Sequence, residues 1–159
     1  MSSLIPRVFK LTMAVRSKAS TAEKKVKGRK RHIGVDIEGH LMDVIVTPAN
    51  VHDTNAGVAL LDNLKLKCPS IQAFSGDSAY QGDSSLFAEI LLEAPIQITH
   101  KAKEGFTVLT KRWIVERTFA WLGHDRRLSK DYEIQPRHSE NMVRISMVRR
   151  TLRRVMKNP

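Results

Sequence analysis

Cysteine is nearly absent, because Cys68 stands alone among the 159 residues. One thiol cannot form a disulfide within the chain or a zinc site of several thiolates, and this usage is typical of a reducing compartment. No stretch approaches the roughly 18 apolar residues that a membrane-spanning helix needs. Arg7 and Lys10 interrupt the apolar positions near the N-terminus, which argues against a signal peptide. We therefore expect a protein without a membrane partner.

Acidic residues are scarce at both ends of the chain. Residues 1–32 hold ten Lys/Arg and one acid, Glu23, and residues 137–159 hold seven Lys/Arg and one acid, Glu140. The net charge is +11, and such a charge favours a polyanionic partner through counterion release and steering. Two alternatives stay open at this point: a merely soluble basic protein, and basic tails that contact only solvent.

Apolar periodicity predicts an α/β fold with a mixed sheet and flanking helices. Strands are expected at 8–15 (weakly), at 31–37 and 41–47 as a hairpin, and at 71–76 and 96–99. Helices are expected to begin near 53, 83, 110 and 139. The last helix is predicted to pack through one apolar stripe, with its arginines facing solvent or DNA; the stripe consists of Met142, Ile145, Val148, Leu152 and Val155.

Glu116 is the first candidate for a chemical role. It lies in the aromatic-rich segment WIVERTFAWL, at 113–122, between Arg112 and Arg117. Flanking guanidiniums keep a carboxylate ionised and fix its direction, which suits a metal ligand. The alternative is a surface Arg–Glu pair, which contributes only about 0–1 kcal/mol. The aromatic side chains are expected to anchor the helix; they are Trp113, Phe119 and Trp121.

Asp77 is the second candidate, since it follows the apolar run 71–76 where a strand is expected to end. In open α/β sheets, ligands bind at the carboxyl ends of strands. The alternative is a turn or cap aspartate, because Gly, Ser and Asp all favour turns. Two carboxylates on separate rigid elements suit in-line phosphoryl transfer, in which divalent ions activate the attacking oxygen and stabilise the leaving one.

Six segments together resemble the catalytic domain of DDE transposases from bacterial insertion sequences. They are KKVKGRKRH at 24–32, VDIEG at 35–39, PANVHD at 48–53, GDSAYQG at 76–82, WIVERTFAWL at 113–122 and RRLSKDYE at 126–133. The resemblance implies a ribonuclease-H-like fold over 24–159, preceded by a poorly defined segment at 1–23. It also implies hydrolysis at transposon ends and strand transfer by the freed 3′-hydroxyl.

The resemblance also assigns roles to particular residues. Asp77 matches the second acid of the triad, Glu116 the third, and Arg112 the arginine that accompanies it. The implied cofactor is Mg²⁺ or Mn²⁺, and the implied partner is double-stranded DNA, both transposon ends and target. A homodimer and a nucleoid-associated location in the cytoplasm are further expectations. The cations expected to contact phosphate are Lys24, Lys25, Lys27, Arg29, Lys30, Arg31, Arg126 and Arg127.

The chain departs from the family pattern in three places. Leu109 and Gly123 stand where the family tends to have a tyrosine and a lysine. More importantly, the family has a first aspartate on a strand before the basic run, whereas Glu23 is the only acid before Asp36. We therefore expect a truncated or frame-damaged product. Asp36 is the nearest substitute metal ligand, and the alternative for it is a plain polar position on a half-buried strand.

Three rival functions remain open from the sequence. A catalytically dead DNA-binding remnant shares every feature except the first acid. An unrelated metal-dependent nuclease predicts cleavage without strand transfer. A basic RNA-binding protein has no use for the fourteen acids between 33 and 136, and it predicts RNA binding that is insensitive to Asp77→Ala.

Overall fold

The computed structural model describes residues 9–17, 28–98 and 110–157. Its strands are β1 (Phe9–Ser17), β2 (Arg29–Val35), β3 (Leu41–Pro48), β4 (Ile71–Gly76) and β5 (Ile96–Ile98). Its helices are α1 (Asp53–Lys67), α2 (Asp83–Ile90), α3 (Thr110–His124) and α4 (Pro136–Lys157), with short 3-10 turns at Ser78–Tyr80 and Arg126–Leu128. No helix within these described ranges is long and apolar enough to cross a bilayer.

The five strands form one mixed sheet in the order β3-β2-β1-β4-β5. β1 pairs antiparallel with β2 and parallel with β4, and β5 extends the parallel half. The carboxyl ends of β1, β4 and β5 therefore lie at the same end of the sheet, whereas β2 ends at the opposite end. The weakly predicted first strand is thus the central one.

A hydrophobic core covers each face of the sheet. On one face, α1 contributes Leu60, Leu61 and Leu64, and α2 contributes Ala88, to a core that includes Phe74 of β4. On the other face, α3 and α4 cover the hairpin; the buried side chains include Ile33, Val35, Val115, Phe119 and Met147. Period-two alternation in the strands explains how neighbouring residues supply both cores.

Gly34 shows why β2 needs a glycine where α1 crosses it. A Cβ built at this position would lie 2.6 Å from Cδ1 of Leu64, which is fully buried. The leucine cannot withdraw without opening a void in a close-packed core. The glycine therefore sets the distance between helix and sheet.

The hairpin differs from its prediction at one end. Ile33 and Val35 are fully buried as expected, but Ile37 is 68% exposed. The register shifts between Gly34 and Val35, and β2 stops there. Residues 37 and 38 form the turn, so Ile37 belongs to the loop and not to the buried face.

Asp43 ties the edge strand β3 to helices on both faces of the sheet. Its Oδ1 accepts from Lys67 of α1 at 2.7 Å and from Arg144 of α4 at 3.2 Å. Burial raises the pKa of Asp43, but the hydrogen bonds from Lys67, Val44 and Arg144 outweigh it and bring the pKa below its usual value. The ionised carboxylate is therefore the form that holds this edge together.

The packing of α4 differs from the predicted stripe. Its buried residues are Ser139, Val143 and Met147, all in the first half of the helix. Four residues of the predicted stripe are 56–63% exposed; they are Ile145, Val148, Leu152 and Val155. The helix meets the sheet along a stripe rotated from the expected one, so the stripe prediction was wrong.

Candidate active site

The loop after β4 holds Asp77 on a rigid base. The Asp77 carbonyl accepts from the Tyr80 backbone N–H at 3.1 Å, which closes the 3-10 turn. The Tyr80 ring is fully buried and packs close to Gly57 and Gly76. Burial, and then the charges of Asp77 and Asp53, raise the pKa of Tyr80 well above its ordinary value. Asp77 itself is partly buried, and the turn holds its backbone in place.

Strand β1 lies between the two predicted acids in the architecture. Thr12 is opposite Ser75 of β4, and both side chains are buried. Asp77 follows Ser75 by two residues and lies just beyond the end of β4. Helix α3 packs against β1 and bears Glu116, which is exposed, with Arg112 one turn earlier in the helix. Roles for Asp77, Glu116 and Arg112 in catalysis stay predictions.

No carboxylate occupies β1. The strand reads FKLTMAVRS and has neither Asp nor Glu. Within the described ranges, no group of three His, Cys, Asp or Glu side chains is arranged to hold an ion. Asp77 and Glu116 offer oxygen ligands of the kind that Mg²⁺ prefers. Two acids do not supply the three that the family pattern requires, so the residues present do not fit the two-ion site.

Asp36, the proposed substitute acid, organises the turn after β2. Its Oδ1 accepts from the backbone N–H groups of Glu38 at 2.9 Å and His40 at 2.8 Å. Its Oδ2 lies 2.9 Å from His40 Nδ1. This is the Asx-type turn that short polar side chains favour, and it uses both carboxylate oxygens.

The topology also separates Asp36 from Asp77. Because β2 is antiparallel to β1, Val35 pairs with Thr12, and the chain at Asp36 continues toward the end of the sheet where β4 begins. Asp77 lies beyond the edge where β4 ends. The structure therefore does not bring Asp36 to the carboxyl edge of β4.

Two of the predicted phosphate-binding cations form hydrogen bonds and ion pairs within the protein. Arg29 donates to Asp131 Oδ2 at 3.2 Å, to the Glu133 carbonyl at 2.8 Å and also to the Ile134 carbonyl. Lys30 pairs with Asp53 Oδ1 at 2.8 Å and donates to the Val51 carbonyl at 2.9 Å. These side chains join the start of β2 to two distant loops.

The remaining predicted cations fall into three groups. Arg31 donates to the Leu128 carbonyl at 3.0 Å, and Arg127 contacts Glu133 Oε1 through Nε at 2.9 Å and Nη2 at 2.7 Å. Arg126 is exposed. Lys24, Lys25 and Lys27 lie outside the described residues. DNA contact by any of these residues stays a prediction.

A cluster of arginine and tryptophan on α3 and α4 was missed from the sequence. The Arg117 guanidinium lies 4.5 Å from the Trp113 ring and 4.7 Å from the Trp121 ring, and that of Arg150 lies 3.6 Å from the Trp121 ring. Trp113 is 47% exposed and does not anchor the helix core. The spacing Trp113–Arg117–Trp121, four residues each, was a readable signal for this stack.

The fold is similar to that of solved integrase structures. The catalytic core domain of HTLV-2 integrase, in complex with magnesium in a dimeric form, matches with a TM-score of 0.56 at 12% identity, over 88% of this chain and 85% of that chain. A chain of the simian T-cell lymphotropic virus intasome, in complex with PP2A regulatory subunit B56 gamma, gives 0.59 at 16% identity, over 92% and 49% of the two chains. The fold class is therefore a ribonuclease-H-like mixed sheet with flanking helices.

The sequence matches the Transposase DDE domain family over residues 7–149, and the chain belongs to that family. A Burkholderia cepacia protein named "Putative transposase for insertion sequence element IS402" is 32% identical over 120 residues, which is 67% of this chain and 54% of that protein. The chain thus spans about half the length of this relative. The expected resemblance to insertion-sequence transposases is confirmed.

Proposed function

We propose that this chain binds insertion-sequence DNA with a transposase catalytic fold but does not carry out the metal-dependent transfer reaction of its family. The reaction of an intact relative is expected to be hydrolysis of a phosphodiester at a transposon end, followed by attack of the freed 3′-hydroxyl on target DNA. Mg²⁺ or Mn²⁺ is the expected cofactor of the intact site. Double-stranded DNA is the partner that the charge of +11 favours.

The composition of β1 carries this proposal. This strand is central, it runs parallel to β4, and the helix bearing Glu116 packs against it. Thr12 on β1 lies opposite Ser75, two residues before Asp77, and α3 packs against this strand. The strand offers no acid at any of its nine positions. Removing one ligand from a set of carboxylates lowers both the affinity for divalent ions and the control of their position.

The fold around the two predicted acids does not require a bound metal. Asp77 stands on a loop fixed by buried Tyr80. Glu116 lies exposed on α3. Neither depends on metal for its place in the fold. The domain can therefore fold and present its basic surface while the site stays without its third ligand.

A nicking and strand-transfer assay tests the proposal. Wild type, Asp77→Asn and Glu116→Gln are incubated with supercoiled plasmid and a short duplex in Mg²⁺ or Mn²⁺, after duplex binding is measured by fluorescence anisotropy. All three proteins are expected to bind the duplex, and the wild type is expected to nick no faster than Asp77→Asn purified in the same way.

Each alternative function has its own signature in this assay. Metal-dependent nicking by wild type that Asp77→Asn abolishes would show that two acids suffice, and the proposed loss of chemistry would be wrong. Nicking without joined products indicates a plain nuclease. Binding to duplex RNA in preference to DNA, unchanged by Asp77→Asn, indicates an RNA-binding protein.

A further inference from the structure

A groove of about 750 Å³ runs between α3, the β2–β3 turn and the second half of α4. Six Lys/Arg side chains line it, against two carboxylates. Both carboxylates already have partners within the protein. Glu38 pairs with Arg154 at 3.0 Å, and Asp125 accepts from the Ser146 hydroxyl at 2.9 Å. The lining therefore carries an excess of positive charge that its own acids do not neutralise.

Three of the lining cations project from successive turns of α4. Arg149, Arg153 and Lys157 are all exposed. They lie four residues apart, so they form one row on the helix with a rise of about 6 Å between neighbours. No ion pair joins any of the three to another residue in the described parts of the chain. A row of this kind matches the backbone of a polyanion better than a single small anion.

Across the groove from this row, α3 contributes the positive charge of Arg117. Arg117 donates to the Glu38 carbonyl at 2.7 Å, and its guanidinium shares the Trp121 ring with that of Arg150. Burial, and then the charge of Arg117, lower the pKa of Arg150. Two guanidiniums on one indole repel each other, and an anion between them relieves that repulsion. Because the indole already stacks on guanidiniums, the groove offers charge and not an open platform for a base.

The lining of the groove includes neither Asp77 nor Glu116, although Arg117 follows Glu116 on α3. Gly39 of the β2–β3 turn forms part of its rim, and a Cβ at Gly39 would lie 3.0 Å from Arg117 Nη2. This turn follows β2, at the edge of the sheet where β4 begins. Asp77 follows the other end of β4. A ligand in the groove therefore makes contacts that the catalytic residues do not provide.

We propose that the groove between α3 and α4 is a docking surface for the phosphate backbone of duplex DNA, with Arg149, Arg153 and Lys157 as its contacts. Guanidiniums suit this task because their planar N–H groups bind phosphate oxygens in pairs. Contacts of this kind position a duplex without reading its sequence. The identity of the polyanion rests on the proposed function, whereas the position of the surface rests on the groove.

The salt dependence of binding tests the surface. The triple variant Arg149→Gln/Arg153→Gln/Lys157→Gln is compared with wild type on a 30-base-pair duplex from low to moderate salt. A plot of log K against log salt has a negative slope, and each lost phosphate contact reduces the magnitude of that slope by about 0.9. The magnitude of the slope is expected to be smaller by about 2 to 3 in the triple variant, and the variant is expected to bind at least about tenfold more weakly than wild type at 100 mM salt.

Two controls separate local contact from total charge. The charge-matched variant Lys130→Gln/Arg137→Glu lowers the net charge by the same three units at exposed positions outside the groove. It is expected to bind within about threefold of wild type, because its long-range effect is screened beyond about 10 Å. The double variant Arg149→Lys/Arg153→Lys keeps the charge and is expected to keep most of the slope. Thermal unfolding of every variant checks the fold.

The outcomes divide cleanly. If wild type binds duplex DNA and the groove variant binds equally well, the groove proposal is overturned and the proposed function stands. Equal losses in the groove triple variant and in the charge-matched variant Lys130→Gln/Arg137→Glu also overturn it. Tighter binding to duplex RNA than to duplex DNA overturns the choice of partner. If wild type binds no duplex at all, the proposed function fails and the groove proposal fails with it.

Discussion

Thr12 of β1 lies directly opposite Ser75 of β4 in the parallel pair at the centre of the sheet, two residues before Asp77. Both side chains are buried, and the Ser75 hydroxyl is without a hydrogen-bond partner in the described parts of the chain. A carboxylate at position 12 would therefore lie beside the Ser75 hydroxyl, on the strand next to the one that leads to Asp77. Position 12 is therefore where we expect an added carboxylate to complete a set of three acids with Asp77 and Glu116.

Thr12→Asp is expected to create binding of divalent ions. In the absence of metal, the new buried carboxylate lowers stability, because a buried charge without a partner costs free energy. Mn²⁺ is then expected to raise the unfolding temperature of Thr12→Asp more than that of wild type, since a ligand that binds only the folded state stabilises it. Differential scanning fluorimetry with and without Mn²⁺ measures the difference.

The control for this variant is Thr12→Asn, which has the same shape without the charge. It is expected to show no Mn²⁺ response. The double variant Thr12→Asp/Asp77→Asn is expected to lose most of the response. A response that survives Asp77→Asn contradicts a shared ion between positions 12 and 77.

The regular elements followed from the sequence, but their arrangement did not. The apolar alternation of 41–47 and the apolar run 71–76 are local patterns, and they predicted the bounds of β3 and β4 to within one residue. β1 has lysine and arginine within an otherwise apolar strand, so its pattern was weak. Its central place depends on pairing with β2 and β4, whose residues lie about 20 and 60 positions away.

The site was predictable only in part for a related reason. The sequence marked Asp77 as the residue after a strand, and the strand indeed ends at Gly76. It gave no sign that Arg29 meets carbonyl groups more than one hundred residues away, so this cation was assigned to DNA. Asp36 was misplaced because the strand stops at Val35, and a turn stabilised by side-chain hydrogen bonds competes with strand extension.

His32 is expected to make the protein less stable in mild acid. Its ring is fully buried on β2, Nε2 lies 3.1 Å from the Thr47 hydroxyl, and Nδ1 is without a partner in the described structure. Burial lowers the pKa of His32 to about 4; Asp53 opposes this shift and Lys30 adds to it. The unfolded state thus binds a proton below pH about 6.5 while the folded state does not until pH about 4.

The sign of the effect follows from that difference. Stability is unaffected by this group above pH about 6.5 and falls as the pH decreases toward 4, by about 2.5 kcal/mol at pH 4.5. Urea unfolding at pH 7 and pH 4.5 measures the loss. His32→Gln keeps a hydrogen-bonding group without titrating there, and it is expected to lose about 2 kcal/mol less than wild type over the same interval. Equal losses would contradict a neutral buried imidazole.

Asp43→Asn is expected to loosen the edge strand from both helices. The variant leaves Lys67 and Arg144 facing a neutral amide in place of the buried carboxylate they now share. Breaking a buried ion pair costs about 3–5 kcal/mol, but both cations are 39–50% exposed and regain water, so about 2 kcal/mol is expected. Asp62→Asn, at an exposed position of α1, is the matched control and is expected to change stability by less than about 0.5 kcal/mol.

Arg29→Gln is expected to free the loop before α4 while leaving most DNA binding intact. The Arg29 guanidinium now holds the Asp131 carboxylate and the carbonyl groups of Glu133 and Ile134. Since loops kept in place by few contacts open at low free-energy cost, amides at 129–135 are expected to exchange hydrogen faster in the variant, by about tenfold for a loss of about 1.4 kcal/mol. Hydrogen exchange read by mass spectrometry measures this, with 41–48 of β3 as the internal reference. If Arg29→Gln instead loses most of its duplex affinity and its loop amides exchange as in wild type, Arg29 contacts DNA and does not hold the loop. The two roles exclude each other, because the guanidinium cannot move to phosphate without releasing the three loop oxygens that it binds.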